Sequence, residues 1–301
     1  MPTPAPTTPR RPRVALETTL LLHGVPRPSA APLARELAQT VRRHGAEPAL
    51  IAVLRGRPVV GLSDAQLTEL LGLDAHLTPK LNTANLGLAL AADRSGATTV
   101  STTMELAAGA GIRFFATGGL GGVHPGLGEP GGLDVSADLA AFTRFPVAVV
   151  TAGVKSILDV AATREALETL GVPVVGFGTD RFPAFYLRES EAGVDERFDD
   201  PAALAAFIAH ELARTGRGIV VANPIPEADQ IPPAQWERWL AEANARAAEA
   251  GIAGRDLTPY LLAQVHEISG GASLRANIAL VKNNADLAAR LAVLAAGRRA
   301  N

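Results

Sequence analysis

Six short apolar runs recur along the chain, separated by longer stretches with helical spacing, and this alternation constrains the fold more than any other feature. The runs are Val14–Leu16, Ala49–Leu54, Ile112–Ala116, Val147–Val150, Val172–Phe177 and Gly218–Ala222. Few polar residues interrupt them, as expected of strands covered on both faces by helices. Strand–helix alternation without a long linker predicts a single α/β/α domain with a mostly parallel central sheet flanked by helices. Strand signals vanish after Pro226, so the C-terminal region is expected to be helical. No internal repeat is visible, which argues against a solenoid or propeller.

Several helix starts are legible. Ser63 to Gln66 and Thr102 to Glu105 have the capping-box pattern, a hydroxyl at the cap and Glu or Gln three residues on. Asp200-Pro201 and Thr258-Pro259 each place a cap residue before a proline suited to the first helical turn. Residues 1–12 hold several prolines and no large apolar residue beyond the first Met, and are expected to be a flexible lead-in. Residues 13–301 are then one catalytic-sized domain.

Composition narrows the function. With 48% hydrophobic residues the chain can bury a sizeable core, and its net charge of −2 lacks the basic field that polymeric nucleic acid requires. The absence of cysteine excludes a thiolate nucleophile, a disulfide framework and a Cys-ligated zinc. Aromatic residues, at 4%, are too few for base-stacking platforms. No apolar run approaches the ~20 residues of a membrane span, and the first residues lack the hydrophobic core of a secretory signal. A cytoplasmic location without membrane partners is therefore expected.

Lys155 is the most reactive candidate. It follows the apolar run Pro146–Val154 and precedes Ser156–Asp159, read as a helix start, which places an ammonium at the carboxyl end of a buried strand. Desolvation and the helix dipole would both favour its free amine, able to form a Schiff base with a carbonyl. The plain alternative is a lysine snorkelling from a strand edge. Glu17, at the end of the first strand, sits among apolar neighbours that would raise its pKa and suit it to general acid work. It reads equally as a salt-bridged strand terminus.

In Asp134-Val135-Ser136-Ala137-Asp138-Leu139 two carboxylates flank a hydroxyl. Asp134 suits a hard divalent ion whose shell is mostly water, and Ser136 and Asp138 suit substrate hydroxyls or phosphate. The competing reading is a helix capped by Ser136 or Asp134. Thr117-Gly118-Gly119-Leu120-Gly121-Gly122-Val123-His124 offers backbone amides to an anion, or is simply a tight turn. Lys80 reads as a phosphate contact or a surface lysine. Asn277, on an otherwise apolar helical face, needs a partner that a substrate amide edge would supply.

Taken in order, these segments, with Ala15–Thr19, His23-Gly24, Gly96–Val100, Ala222–Pro226 and Gly270–Leu274, resemble the pseudouridine-5′-phosphate glycosidase family, also called the indigoidine-synthesis A-like family. The resemblance runs from about Val14 to Ala296. It implies reversible cleavage of the carbon–carbon glycosidic bond of pseudouridine 5′-phosphate to uracil and ribose 5-phosphate. By motif it implies Lys155 as the Schiff-base lysine, Glu17 as the proton donor and Asp134 as the ligand of one Mn2+ ion. Lys80, Val100, Ser136, Ala137 and Asp138 are implied as substrate contacts. Thr117, Gly118, Gly119 and His124 are implied on the phosphate side, and Asn277 at the uracil. A homotrimer is implied as well.

The chemistry explains these residue types. A carbon-linked uracil is a poor leaving group for the two-carboxylate glycosidase scheme. An imine between Lys155 and ring-opened ribose supplies an electron sink instead. The sequence departs from the family pattern at Leu81–Asn85, where charged residues are usual, in the glycine-rich loop Pro125–Leu133, and at Val154, where alanine is common. The first departure favours a second reading, a Schiff-base lyase acting on another sugar phosphate. A non-catalytic sugar-phosphate binder is a third, disfavoured because it has no need of Glu17, Asp134 and Lys155 together.

Overall fold

A computed structural model describes residues 11–125, 134–252 and 257–298. The expected lead-in therefore falls outside the described residues except at positions 11 and 12, as does most of the 125–133 loop. The strands are β1 (Arg13–Leu16), β2 (Glu47–Leu54), β3 (Arg57–Val60), β4 (Lys80–Leu81), β5 (Gly96–Thr98), β6 (Phe114–Ala116), β7 (Ala148–Thr151), β8 (Val174–Phe177), β9 (Glu196–Phe198) and β10 (Ile219–Ala222). They form one sheet in the order β4-β5-β2-β1-β6-β7-β10-β8-β9, with β3 paired to β2. Pairing is parallel throughout, apart from β2 with β3 and β2 with β5.

Each expected apolar run holds a strand, and the three central ones are almost wholly buried, as the lack of alternation requires. The expectation missed β3, β4, β5 and β9. β4 and β5 are two and three residues long, too short for a periodic signal. β3 and β9 lie at the margins with charged, exposed positions, where alternation and apolarity both fail.

The helices are α1 (Arg27–Arg43), α2 (Asp64–Gly72), α3 (Leu86–Ala91), α4 (Val100–Gly109), α5 (Ala137–Phe142), α6 (Val160–Thr169), α7 (Pro201–Thr215), α8 (Pro233–Glu249), α9 (Leu257–Ile268) and α10 (Ala272–Arg298). Ser63 and Gln66 complete the capping box of α2, and Asp200 accepts from the amides of Ala202 and Ala203 at the start of α7. Two expected starts are corrected. Thr102 lies inside α4, which begins at Val100 because β5 ends only two residues earlier. Thr258 lies within α9 rather than before it. No described strand follows β10, in agreement with the sequence.

The 27-residue helix α10 crosses the middle of the sheet, packing on β1, β6 and β7 and against α1 and α7. Its buried face includes Leu280, Ala285, Ala288 and Leu291. Full burial of a leucine contributes roughly 1.5–3 kcal/mol, so this stripe fixes the helix against the strands that carry the site.

Candidate active site

Register brings the site together. Leu16, the last residue of β1, pairs with Ala116 on β6, which in turn pairs with Val150 of β7. The next residues of the three adjacent strands are therefore Glu17, Thr117 and Thr151, side by side at the carboxyl edge of the sheet. That edge is where open α/β sheets bind ligands.

Thr117, fully buried, donates its hydroxyl to Oε1 of Glu17. Burial raises the Glu17 pKa from 4.5 to about 7. The Thr117 bond and the positive charge of Lys155 oppose that rise, Asp138 adds to it, and Lys80 opposes it more weakly. Lys80, on β4, is pushed down by desolvation of its ammonium and by Lys155, against the pull of Glu17, although the residue as a whole is exposed. Glu17, Lys155 and Lys80 thus form one electrostatic cluster.

Lys155 is half-buried. The chain reaches it through Gly153, whose φ of +84° is open to glycine and which lies so close to Pro183 that a Cβ would stand 1.7 Å from its carbonyl oxygen. The Lys155 amide then donates to the Leu120 carbonyl at 3.1 Å. The expected helix start at Ser156 is corrected: this stretch is a turn, and α6 begins at Val160 with Asp159 capping Ala162 at 2.9 Å. The positive end of α6 is consequently a turn away from Lys155.

Asp138 is buried, and its two oxygens accept from the amides of Ser101 and Gly121, each at 2.9 Å. Ser136 caps α5 by accepting from the Asp138 amide at 3.2 Å. The capping alternative thus holds for Ser136, while Asp138 ties α4 to the glycine loop. Ala137 opens α5 and Val100, buried, opens α4.

The glycines of the 117–124 loop serve close packing. A Cβ on Gly119 would stand 2.4 Å from the Phe185 ring, one on Gly121 2.2 Å from Ser136 Oγ, and one on Gly122 2.3 Å from Thr163 Oγ1. The amides of Thr117, Leu120, Gly121, Val123 and His124 are already donated to acceptors within the protein. Those five N–H groups are spent within the protein, so an anion at this loop would be met by the amides of Gly118, Gly119 and Gly122 and not by the whole run.

Asn277 on α10 reaches the same loop: its Oδ1 lies 3.3 Å from where a Cβ would stand on Gly118, and it is buried without a hydrogen-bond partner. His23 stands in a π-helical turn, Leu20–Gly24, and its Nε2 is likewise buried and unpartnered. Burial and the charge of Lys80 lower its pKa to about 4, against a hydrogen bond to the Thr78 backbone and with a further push from His76. The uncharged stretch after Lys80 is self-satisfied: Asn85 Oδ1 accepts from the Asn82 amide at 2.8 Å and Asn82 Oδ1 from that of Ala84 at 2.9 Å.

Asp134 is exposed, with its Oδ2 3.8 Å from His124 Nε2. No cluster of three or more His, Cys, Asp or Glu side chains occurs among the described residues. A single exposed carboxylate fits a hydrated hard ion and does not fit a caged one. Two surface clefts, about 530 Å³ beside Arg214 and Arg217 and about 250 Å³ beside Arg181 and Arg197, lie apart from the Glu17 cluster.

Sequence reasoning missed two buried amides. Asn284 of α10 donates to the Thr117 carbonyl at 2.8 Å and accepts from Asn223 at 2.9 Å. The available signal was spacing: Asn277 and Asn284 are seven residues apart and so share one helix face.

Residues 6–294 match the model of a family described as indigoidine synthase A like protein. The chain is 51% identical over 291 residues to the pseudouridine-5′-phosphate glycosidase of Methylobacterium nodulans, covering 96% of this chain and 85% of that one. It is 51% identical over 294 residues to the enzyme of the same name from Salinispora tropica, covering 96% and 89%. A crystal structure of an indigoidine synthase A-like protein from Thermotoga maritima superposes with a TM-score of 0.84 at 36% identity, covering 94% of this chain and 92% of that one. The prealnumycin C-glycosynthase AlnA, solved with ribulose 5-phosphate, superposes with a TM-score of 0.88 at 36% identity, covering 96% and 93%. No described helix is long and apolar enough to cross a membrane.

Proposed function

The chain belongs to the indigoidine synthase A like family, and from that premise we infer that it is an enzyme that reversibly cleaves pseudouridine 5′-phosphate to uracil and ribose 5-phosphate. The observation that carries this reading is the cluster of Glu17 and Lys155, a carboxyl group titrating near neutrality within the field of an amine at one sheet edge. The names of relatives that are half identical over nearly their whole length support the substrate. The sugar phosphate in the AlnA structure supports the ligand class.

In the direction of synthesis, the Lys155 amine adds to the aldehyde carbon of open-chain ribose 5-phosphate and expels water, leaving an imine. C5 of uracil attacks that carbon and releases a proton. The C4 hydroxyl of the sugar then displaces the lysine, closing the ring. Cleavage is the reverse, and Glu17, with a pKa of about 7, gives and takes the proton on the ring oxygen. Lys80 offers a cation to the phosphate, and Asn277 offers its unpartnered amide oxygen to the N–H edge of uracil. Asp134, beside His124, would hold a divalent ion such as Mn2+, which when bound would offset negative charge developing on the base. A homotrimer and a cytoplasmic location complete the reading. The mass in light scattering is expected at three chains.

Treatment with ribose 5-phosphate and borohydride should leave a reduced adduct on Lys155, absent from Lys155→Ala. No adduct in the parent protein would refute the imine. The internally bonded, uncharged Asn82–Asn85 turn favours one alternative, the same chemistry on a different sugar phosphate. An adduct without consumption of uracil would decide for it.

A further inference from the structure

Asn284 is fully buried, yet it lies in α10, a helix whose other buried positions are mostly apolar. Its amide has a defined orientation. Nδ2 faces the carbonyl of Thr117 at 2.8 Å and that of Gly118 at 3.5 Å, and Oδ1 accepts from Asn223 Nδ2 at 2.9 Å. Only a donor can face two carbonyls, so the oxygen must turn to Asn223. Asn223, buried just beyond β10, is itself anchored by its backbone amide to Thr151 of β7 at 2.9 Å. Thr117, at the far end, places its hydroxyl on Glu17.

We propose that Asn284, held by Asn223, is a positioning residue for Glu17: it fixes the Thr117 peptide and thereby keeps the Thr117 hydroxyl on the Glu17 carboxylate. The proposal rests on the assignment of Glu17 to proton transfer for its catalytic consequence, but not for its geometry. A buried amide serving only packing would be replaced by an apolar residue at little cost, since an unsatisfied carbonyl is the expensive outcome. Here the Thr117 carbonyl is held by this one side chain at 2.8 Å, whereas the Gly118 carbonyl also accepts from the Ala152 amide at 3.0 Å. The neighbouring Asn277, two turns away on the same helix face, meets the same loop with its oxygen free. The helix thus presents one amide to hold the loop and one to meet a ligand.

The test follows the Glu17 carboxyl directly, by ¹³C NMR of glutamate-labelled protein with the signal assigned through Glu17→Gln. The Thr117 bond favours the ionised form, so losing it raises the midpoint. Asn284→Leu and Asn223→Ala are each expected to raise it by about one pH unit, as Thr117→Val does, and to lower kcat about tenfold with little change in KM. In the Thr117→Val background, Asn284→Leu should add nothing to the shift. A folded variant at either asparagine with the parent midpoint and parent kcat–pH profile overturns the proposal, and so does full additivity with Thr117→Val. Should Asn284→Leu not fold, Asn223→Ala carries the test alone. Normal turnover by Glu17→Gln would instead refute the catalytic role of Glu17, while the NMR midpoints still decide whether Asn284 acts on it.

Discussion

Thr117 and Glu17 lie 100 residues apart in sequence, each just beyond the end of one of two adjacent strands, and the hydroxyl of one is bonded to the carboxylate of the other. This bond favours the charged form, yet burial outweighs it and Glu17 stays near neutrality. Desolvation therefore sets the pKa of this group, and the hydrogen bond trims it.

Replacing Glu17 tests both halves of that balance. Glu17→Gln is expected to lower kcat by about 10²–10⁴-fold while keeping ribose 5-phosphate binding, and parent activity should decline as pH rises through about 7. Because the folded pKa exceeds the ordinary 4.5, the folded protein retains a proton that the unfolded chain has lost. The resulting stability is complete below pH 4.5 and disappears as pH climbs through about 7. Denaturant titrations should show Glu17→Gln gaining about 1–3 kcal/mol over the parent between acid and alkaline pH.

Asp138→Asn should move the same activity limb the other way. Removing a negative charge that raises the Glu17 pKa lets it fall, so activity declines at lower pH than in the parent. One of the two amides at 2.9 Å also loses its acceptor, at a cost of about 1–3 kcal/mol. An unmoved pH profile would remove Asp138 from the electrostatics of the site.

Gly153→Ala should be severely destabilising. It combines a left-handed φ of +84° with a Cβ placed 1.7 Å from the Pro183 carbonyl oxygen, a backbone atom that cannot swing aside. A loss of about 3 kcal/mol or more is expected in urea melts. Gly109→Ala, at the exposed end of α4 with nothing within 4 Å of its Cβ, should be neutral or stabilising.

Chelation should lower turnover, with Mn2+ restoring it, and Asp134→Asn should raise the Mn2+ concentration required. Since Asp134 is exposed, neither change should shift the melting temperature appreciably. A variant with the parent Mn2+ requirement would place the ion elsewhere.

The centre of the fold was legible because β1, β6 and β7 are buried on both faces, and burial leaves an unbroken apolar run. Glu17 and Thr117 were findable for the same reason, each standing just after such a run. β4 and β5 were not, since a two- or three-residue strand is defined by its neighbours rather than its own pattern. The glycine loop was legible only in part. Glycine admits both free amides and intruding side chains, and only Phe185, Ser136 and Thr163 reveal that close packing is among its uses here. Asn284 was hidden likewise: its role depends on how α10 lies across β6.

The crossing of α10 over the sheet carries a consequence for biosynthesis. The segments bearing Glu17, Thr117 and Lys155 leave the ribosome well before residues 277–284, so a nascent chain can lay down its sheet edge while both asparagine amides are still in the exit tunnel. Competence for turnover should thus arrive late and abruptly, when α10 docks and not when the lysine and glutamate first become neighbours.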